Sequence, residues 1–245
     1  MRGRTETIAI SVLLFLLSAC SSSDVKQQEI DQNIALLKEI EEADMSSVSN
    51  TVAGVQEALA RKRKKAEGGT LNYREIFRNT VVMGDSIAAG LVEYNLLNPI
   101  QVVADRGKNL ATIGDDIQTV IRLAPTDIFF SYGMNDLGYC NGDVNLFIER
   151  YEDVIGQIRE ALPHVRLHIN AILPIQQHAI DANPVYASYP EFNAAMKSMC
   201  ERMDIDFIDN SSIIKTYDIP YNYDGVHPVF DFFPYWLDHM AERLK

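Results

Sequence analysis

From residue 70 onward, apolar positions come in short runs separated by longer stretches in which apolar residues recur every three or four positions. The runs Thr80 to Met83, Ile100 to Ala104, Asp127 to Tyr132, Val165 to Ile172 and Ile205 to Ile208 have the length of strands buried on both faces. Between them the spacing predicts helices over Ala88 to Tyr94, Thr112 to Leu123, Val144 to Leu162 and Tyr189 to Met203, with a last one near Pro228 to Leu244. In the helix from Val144, residues Phe147, Tyr151, Val154, Ile155 and Ile158 share one face. Strand and helix in alternation imply an α/β fold, a doubly wound parallel sheet with right-handed crossovers. Sheets of this kind carry their chemistry at the carboxyl ends of the strands.

The first seventy residues have a different pattern. Arg2 and Arg4 precede an apolar run from Ile8 to Leu17, shorter than the ~20 residues of a transmembrane helix, and Leu17-Ser18-Ala19-Cys20 follows. This reads as a signal peptide over 1–19. Its ending resembles the lipobox of bacterial lipoproteins, which implies cleavage before Cys20, lipidation of Cys20, and a protein anchored to a membrane in the bacterial cell envelope outside the cytoplasm. Residues 20–69 read as a helical tether, with no aromatic residue and an apolar stripe through Ile30, Ile34, Leu37, Met45, Val48, Val52, Val55 and Leu59. Two helices are expected, roughly 26–44 and 48–66, ending at Gly68-Gly69. Their stripe can be buried in a hairpin, against the following domain, or by self-association as a short coiled coil. The basic run Arg61-Lys62-Arg63-Lys64-Lys65 is read as a solvated last helical turn in preference to a lipid contact.

Composition narrows the function classes. A 245-residue chain that is 47% hydrophobic and 23% charged is ordinary for a globular protein with one main core. A formal charge of −12 argues against nucleic acid as a partner, since phosphate contacts need clustered Lys and Arg. No Cys/His spacing suggests zinc, and no cofactor is required by the chemistry described next. Outside the cytoplasm Cys140 and Cys200 can pair, although two separately packed thiols is the favoured expectation.

The first predicted strand runs into Gly84-Asp85-Ser86, which puts a serine at a strand end where a helix starts. A helix start offers free N–H groups and a positive dipole end, both useful to a developing oxyanion. Alone, Ser86 fits a helix N-cap better than a nucleophile. A base for it appears near the end of the chain, in Asp224-Gly225-Val226-His227. At that spacing a carboxylate can accept from Nδ1 of the imidazole and leave Nε2 to take a serine proton. His164, His168, His178 and His239 have no comparable partner and are expected to be structural or superficial. Gly133-Met134-Asn135-Asp136 after the third strand supplies an amide donor in Asn135, and Gly107 after the second can expose a backbone N–H.

In order and spacing, these four sites resemble the four blocks of the SGNH (GDSL-type) hydrolases, from about residue 74 to the end. The resemblance implies a flavodoxin-like three-layer sandwich with a five-stranded parallel sheet, and a serine esterase working through an acyl-enzyme. It implies Ser86 as nucleophile, His227 as general base and Asp224 as its orienting acid, with an oxyanion hole made by the Ser86 and Gly107 N–H groups and the Asn135 side chain. The Gly-x-Ser-x-Gly elbow of α/β-hydrolases is missing, because Ala88 follows Ile87. A metal-dependent phosphoesterase built on Asp85, Asp136, Asp224 and His227 is a weaker reading. The loop from Ile175 to Pro190, with Gln176, Gln177, His178, Asn183, Tyr186 and Tyr189, is the expected specificity loop. Its polar and aromatic mix suits an O-acetyl group on a carbohydrate or cell-wall glycan. A lipase or lysophospholipase-like esterase and a non-catalytic surface scaffold are the alternatives.

Overall fold

The computed structural model describes residues 72–244. The signal peptide, Cys20 and the helical tether expected from the sequence lie outside the described residues. Five strands, β1 (Thr80–Gly84), β2 (Val102–Ala104), β3 (Asp127–Ser131), β4 (Arg166–Asn170) and β5 (Asp206–Ile208), form one sheet. Every pairing is parallel, and the order is β2-β1-β3-β4-β5. This is the flavodoxin-like order, whose switch point lies between β1 and β3. The α/β class and the five parallel strands expected from the alternation are therefore the observed architecture.

Helices cover both faces: α1 (Tyr73–Ile76), α2 (Ser86–Glu93), α3 (Gly114–Leu123), α4 (Met134–Tyr139), α5 (Val144–Ala161), α6 (Gln177–Ala182), α7 (Tyr189–Met203), α8 (Ser211–Thr216) and α9 (Phe232–Ala241). Alternation along the strands sorts the two cores. Val81, Met83, Ile128, Phe130, Leu167 and Ile169 face α3, α5 and α7. The predicted stripe of α5 is buried there without exception. Each such side chain contributes roughly 1.5–3 kcal/mol by leaving water. On the other face Phe77 meets Phe129, with ring centroids 6.0 Å apart, and the Trp236 indole N–H of α9 donates to Asn170 Oδ1 at 3.0 Å.

Where predicted and observed boundaries differ, local polar chemistry is the cause. The second strand begins at Val102, two residues late, because Pro99–Gln101 form a 3₁₀ turn in which Gln101 Oε1 accepts from the Asn98 N–H at 2.8 Å. The final helix starts at Phe232, because Pro228 is held in a bridge to Tyr221. Helix α2 starts two residues early, at Ser86, because Asp85 caps it: Asp85 Oδ1 accepts from the Ile87 N–H at 3.0 Å. Helices α4, α6 and α8 have six residues each, too few to display an amphipathic period.

Candidate active site

Ser86 sits two residues past the end of β1, at the first position of α2 and beside the switch point of the sheet. The capping duty that its sequence context suggested for it falls to Asp85, which leaves the Ser86 hydroxyl free for another partner. That partner is His227, whose Nε2 lies 2.8 Å from Ser86 Oγ across 141 residues of sequence.

The loop that brings His227 there is braced at every step. Asp224 Oδ2 accepts from His227 Nδ1 at 2.8 Å, while its Oδ1 accepts from the Val226 and His227 amides at 2.9 and 3.0 Å. Burial works to raise the Asp224 pKa, but these donors outweigh it and hold the carboxyl below its ordinary value. It is ionised at neutral pH. Gly225 makes the turn at φ +69°, and a Cβ there would come within 2.7 Å of the His178 ring.

The contact with His178 gives the predicted specificity loop a structural role. The Ile175 to Pro190 segment, read from sequence as the specificity loop, braces the loop that carries Asp224 and His227. Gln176 N–H donates to the Gly225 carbonyl at 2.9 Å, and His178 Nε2 donates to the Tyr223 carbonyl at 2.9 Å. Tyr221 Oη donates to the Pro174 carbonyl at 2.6 Å. None of the residues singled out in that segment lines the pocket at Ser86. A polar, aromatic loop suits bracing as well as it suits binding, and composition cannot separate the two.

Gly107 and Asn135 both reach the Ser86 pocket. Gly107 adopts φ +75°, and a Cβ built on it meets nothing within 4 Å, so its backbone is open to an approaching group. Asn135 Nδ2 donates one hydrogen to the Lys108 carbonyl at 2.9 Å, which fixes the amide and leaves its second N–H available. A second tie reinforces the first: Asp136 Oδ1 accepts from the Leu110 N–H at 2.9 Å. The two bonds join the loop bearing Gly107 to helix α4 bearing Asn135. A hydroxyl, an imidazole, a carboxylate and open amide donors around one pocket can carry out acyl transfer.

Two carboxyls beneath the site are perturbed by burial. Asp136 is pushed up to about 6, against the Leu110 amide and the Arg150 charge that lower it. Asp85 is pushed up to about 7, with the Ile87 amide and His227 opposing. A carboxyl whose folded pKa exceeds its unfolded one contributes stability that is fully present below about pH 4 and is lost as pH rises through about 7. Asp85→Asn keeps an acceptor for the cap and removes the titration. It is expected to flatten stability across that window and to exceed wild type in melting temperature above it. Melting curves that track wild type at every pH would refute the assignment.

The pocket measures about 440 Å³ and adds Glu93, Tyr94, Arg106, Asn222 and Phe233 to the expected residues. The sequence reading missed these, although a signal existed for two. Glu93 and Tyr94 follow Ser86 by seven and eight residues, the same side of a helix. Of the remaining histidines, His168 does have carboxylate partners, Asp127 at 3.1 Å and Asp206 at 3.2 Å. Asp127 and Asp206 begin their strands, so this cluster lies at the amino edge of the sheet, opposite Ser86, and is structural. Cys140 and Cys200 are buried free thiols, not a disulfide. Among the described residues no group of three His, Cys, Asp or Glu could hold a metal, and no helix is long and apolar enough to cross a membrane.

A model of the GDSL-like lipase/acylhydrolase family matches residues 82–229. No curated protein matches the chain in sequence. Similar solved structures include a GDSL-like lipase from Bacteroides thetaiotaomicron, with TM-score 0.55 and 14% identity over 76% of this chain and 97% of that one. A carbohydrate esterase family 3 protein from Talaromyces cellulolyticus has TM-score 0.52 and 18% identity over 67% and 95%. An acetyl esterase mutant with acetate ion has TM-score 0.52 and 19% identity over 67% and 95%. At such identities the structures speak for the fold. The family match spans more than half of the chain, from inside β1 past His227, and the protein belongs to the GDSL-like lipase/acylhydrolase family of ester hydrolases.

Proposed function

We propose that the protein removes O-acetyl groups from a carbohydrate or cell-wall glycan through an acyl-enzyme on Ser86. The observation that carries the chemistry is the continuous chain Ser86 Oγ, His227 Nε2, His227 Nδ1, Asp224 Oδ2, with 2.8 Å at each contact between residues. Ser86 Oγ attacks the ester carbonyl carbon while its proton passes to His227 Nε2. The oxyanion is received by the Ser86 and Gly107 N–H groups and by Asn135 Nδ2. Collapse breaks the bond to the sugar oxygen, which leaves with the proton from Nε2. Water, deprotonated by the same nitrogen, then attacks the acetyl carbonyl carbon; the bond to Ser86 Oγ breaks, Oγ takes the proton back from Nε2, and acetic acid departs and ionises to acetate.

The carbohydrate reading is supported by the pocket walls, where Glu93, Arg106 and Asn222 offer charged and amide groups that suit hydroxyls better than a long acyl chain. The acetyl esterase and the family 3 carbohydrate esterase among the structural neighbours are compatible with it. We further propose that cleavage before Cys20 and lipidation of that residue anchor the enzyme in the cell envelope, with residues 20–69 as its tether. The purified protein is expected to release acetate from O-acetylated xylan or peptidoglycan faster than fatty acid from lysophospholipid. Activity confined to the lipid would overturn the carbohydrate reading and leave the esterase chemistry standing.

A further inference from the structure

Helix α2 carries Gly90, Glu93 and Tyr94 on the same side as Ser86, and all three line the pocket. At 1.5 Å rise per residue, Glu93 stands about 10 Å along the axis from the nucleophile. The pocket is therefore a trough along α2. Its floor at Gly90 bears no side chain, because the Phe233 ring packs there and a Cβ would come within 2.7 Å of it.

At the far end, Glu93 Oε1 and Arg106 Nη2 form an ion pair at 3.0 Å, with side chains 50% and 75% exposed. A pair so exposed contributes little to the fold, so stability is a poor reason for it. Its remaining valences are considerable: a second carboxylate oxygen and further guanidinium N–H groups. The Arg106 backbone is tied at this point, since its N–H donates to Asp105 Oδ1 at 2.7 Å, immediately before Gly107 of the oxyanion loop. An acyl chain lying along the trough would strip water from this pair and return nothing. A sugar ring would return hydrogen bonds.

We propose that Glu93 and Arg106 form a second sugar subsite, which binds the ring next to the one bearing the ester. Glu93 accepts from one hydroxyl and Arg106 donates to the oxygen of its neighbour, so the pair reads a vicinal diol. This rests on the carbohydrate reading and extends it: the substrate is an acetylated oligosaccharide or polysaccharide, not a monosaccharide ester. The pair specifies substrate and takes no part in the acyl transfer.

The test compares kcat/KM for mono-O-acetylated xylose with that for mono-O-acetylated xylotetraose. Wild type is expected to favour the tetramer by roughly 10- to 100-fold, less than two full hydrogen bonds to charged groups because both exposed side chains stay partly hydrated. Glu93→Ala and Arg106→Ala are each expected to collapse that ratio, mainly through KM for the tetramer. The exchange of charges, Glu93→Arg with Arg106→Glu, should restore part of it, because donor and acceptor are again paired. A wild-type ratio near one, or single variants that keep the wild-type ratio, would overturn the subsite while the esterase reading survives on the monomer. If neither saccharide is deacetylated while a lysophospholipid is hydrolysed, the carbohydrate reading has failed and the subsite falls with it.

Discussion

Ser86→Ala is expected to lower turnover of an activated acetyl ester by on the order of 10⁶-fold and to abolish labelling by a fluorophosphonate. The magnitude follows from how the site is built. Removing the hydroxyl removes the covalent intermediate, and what remains is the oxyanion donors acting on direct attack by water. The fold should tolerate the change. Ser86 caps nothing, since Asp85 does so, and among the described residues its hydroxyl hydrogen-bonds to the half-exposed His227. An unchanged melting temperature would separate lost chemistry from lost structure. A variant that kept wild-type turnover and still reacted with the probe would remove Ser86 from the mechanism. An unlabelled wild-type protein would favour a non-catalytic scaffold.

Asp224→Asn is the second large effect, expected at about 10³-fold in kcat, somewhat below the roughly 10⁴ of a fully buried triad aspartate. Asn keeps an oxygen for the Val226 and His227 amides, so the turn survives. What it cannot keep is a second acceptor facing His227 Nδ1. The amide nitrogen there favours the tautomer whose Nε2 carries a hydrogen, and such a ring takes no proton from Ser86. The discount reflects exposure: the Asp224 and His227 side chains are 37% and 39% exposed, and water can replace part of the lost bond. Raised kcat from Asp224→Asn, or a fall confined to KM, would contradict an orienting role.

Much of the site was readable before folding because its parts are local. Asp224 and His227 are three residues apart, and a carboxylate at that spacing can bond both the turn amides and the ring. Gly84-Asp85-Ser86 marks a strand end by the switch from a continuous apolar run to a polar cap. Asn135 follows Gly133 at another strand end for the same reason. The segment from Ile175 to Pro190 shows where this kind of reading stops. Its residues have the chemistry of a binding loop, but their partners, the Gly225 and Tyr223 carbonyls, lie some fifty residues on.

The sequence by itself determined the α/β alternation, the order of the strands' appearance and the identity of the residues able to react. Each follows from spacing over a few positions, since helix and strand periods and turn chemistry act at short range. Tertiary structure alone decided which of those residues meet. The parallel pairing of β1 with β3 places Ser86 and Asn135 at one sheet edge, and the return of the chain brings His227 to within 2.8 Å of Ser86. It also lined the pocket at Ser86 with Glu93 and Tyr94, at the end of α2, and with Arg106. Contacts of that range are set by how sheet and helices pack as a whole, and no local pattern encodes them.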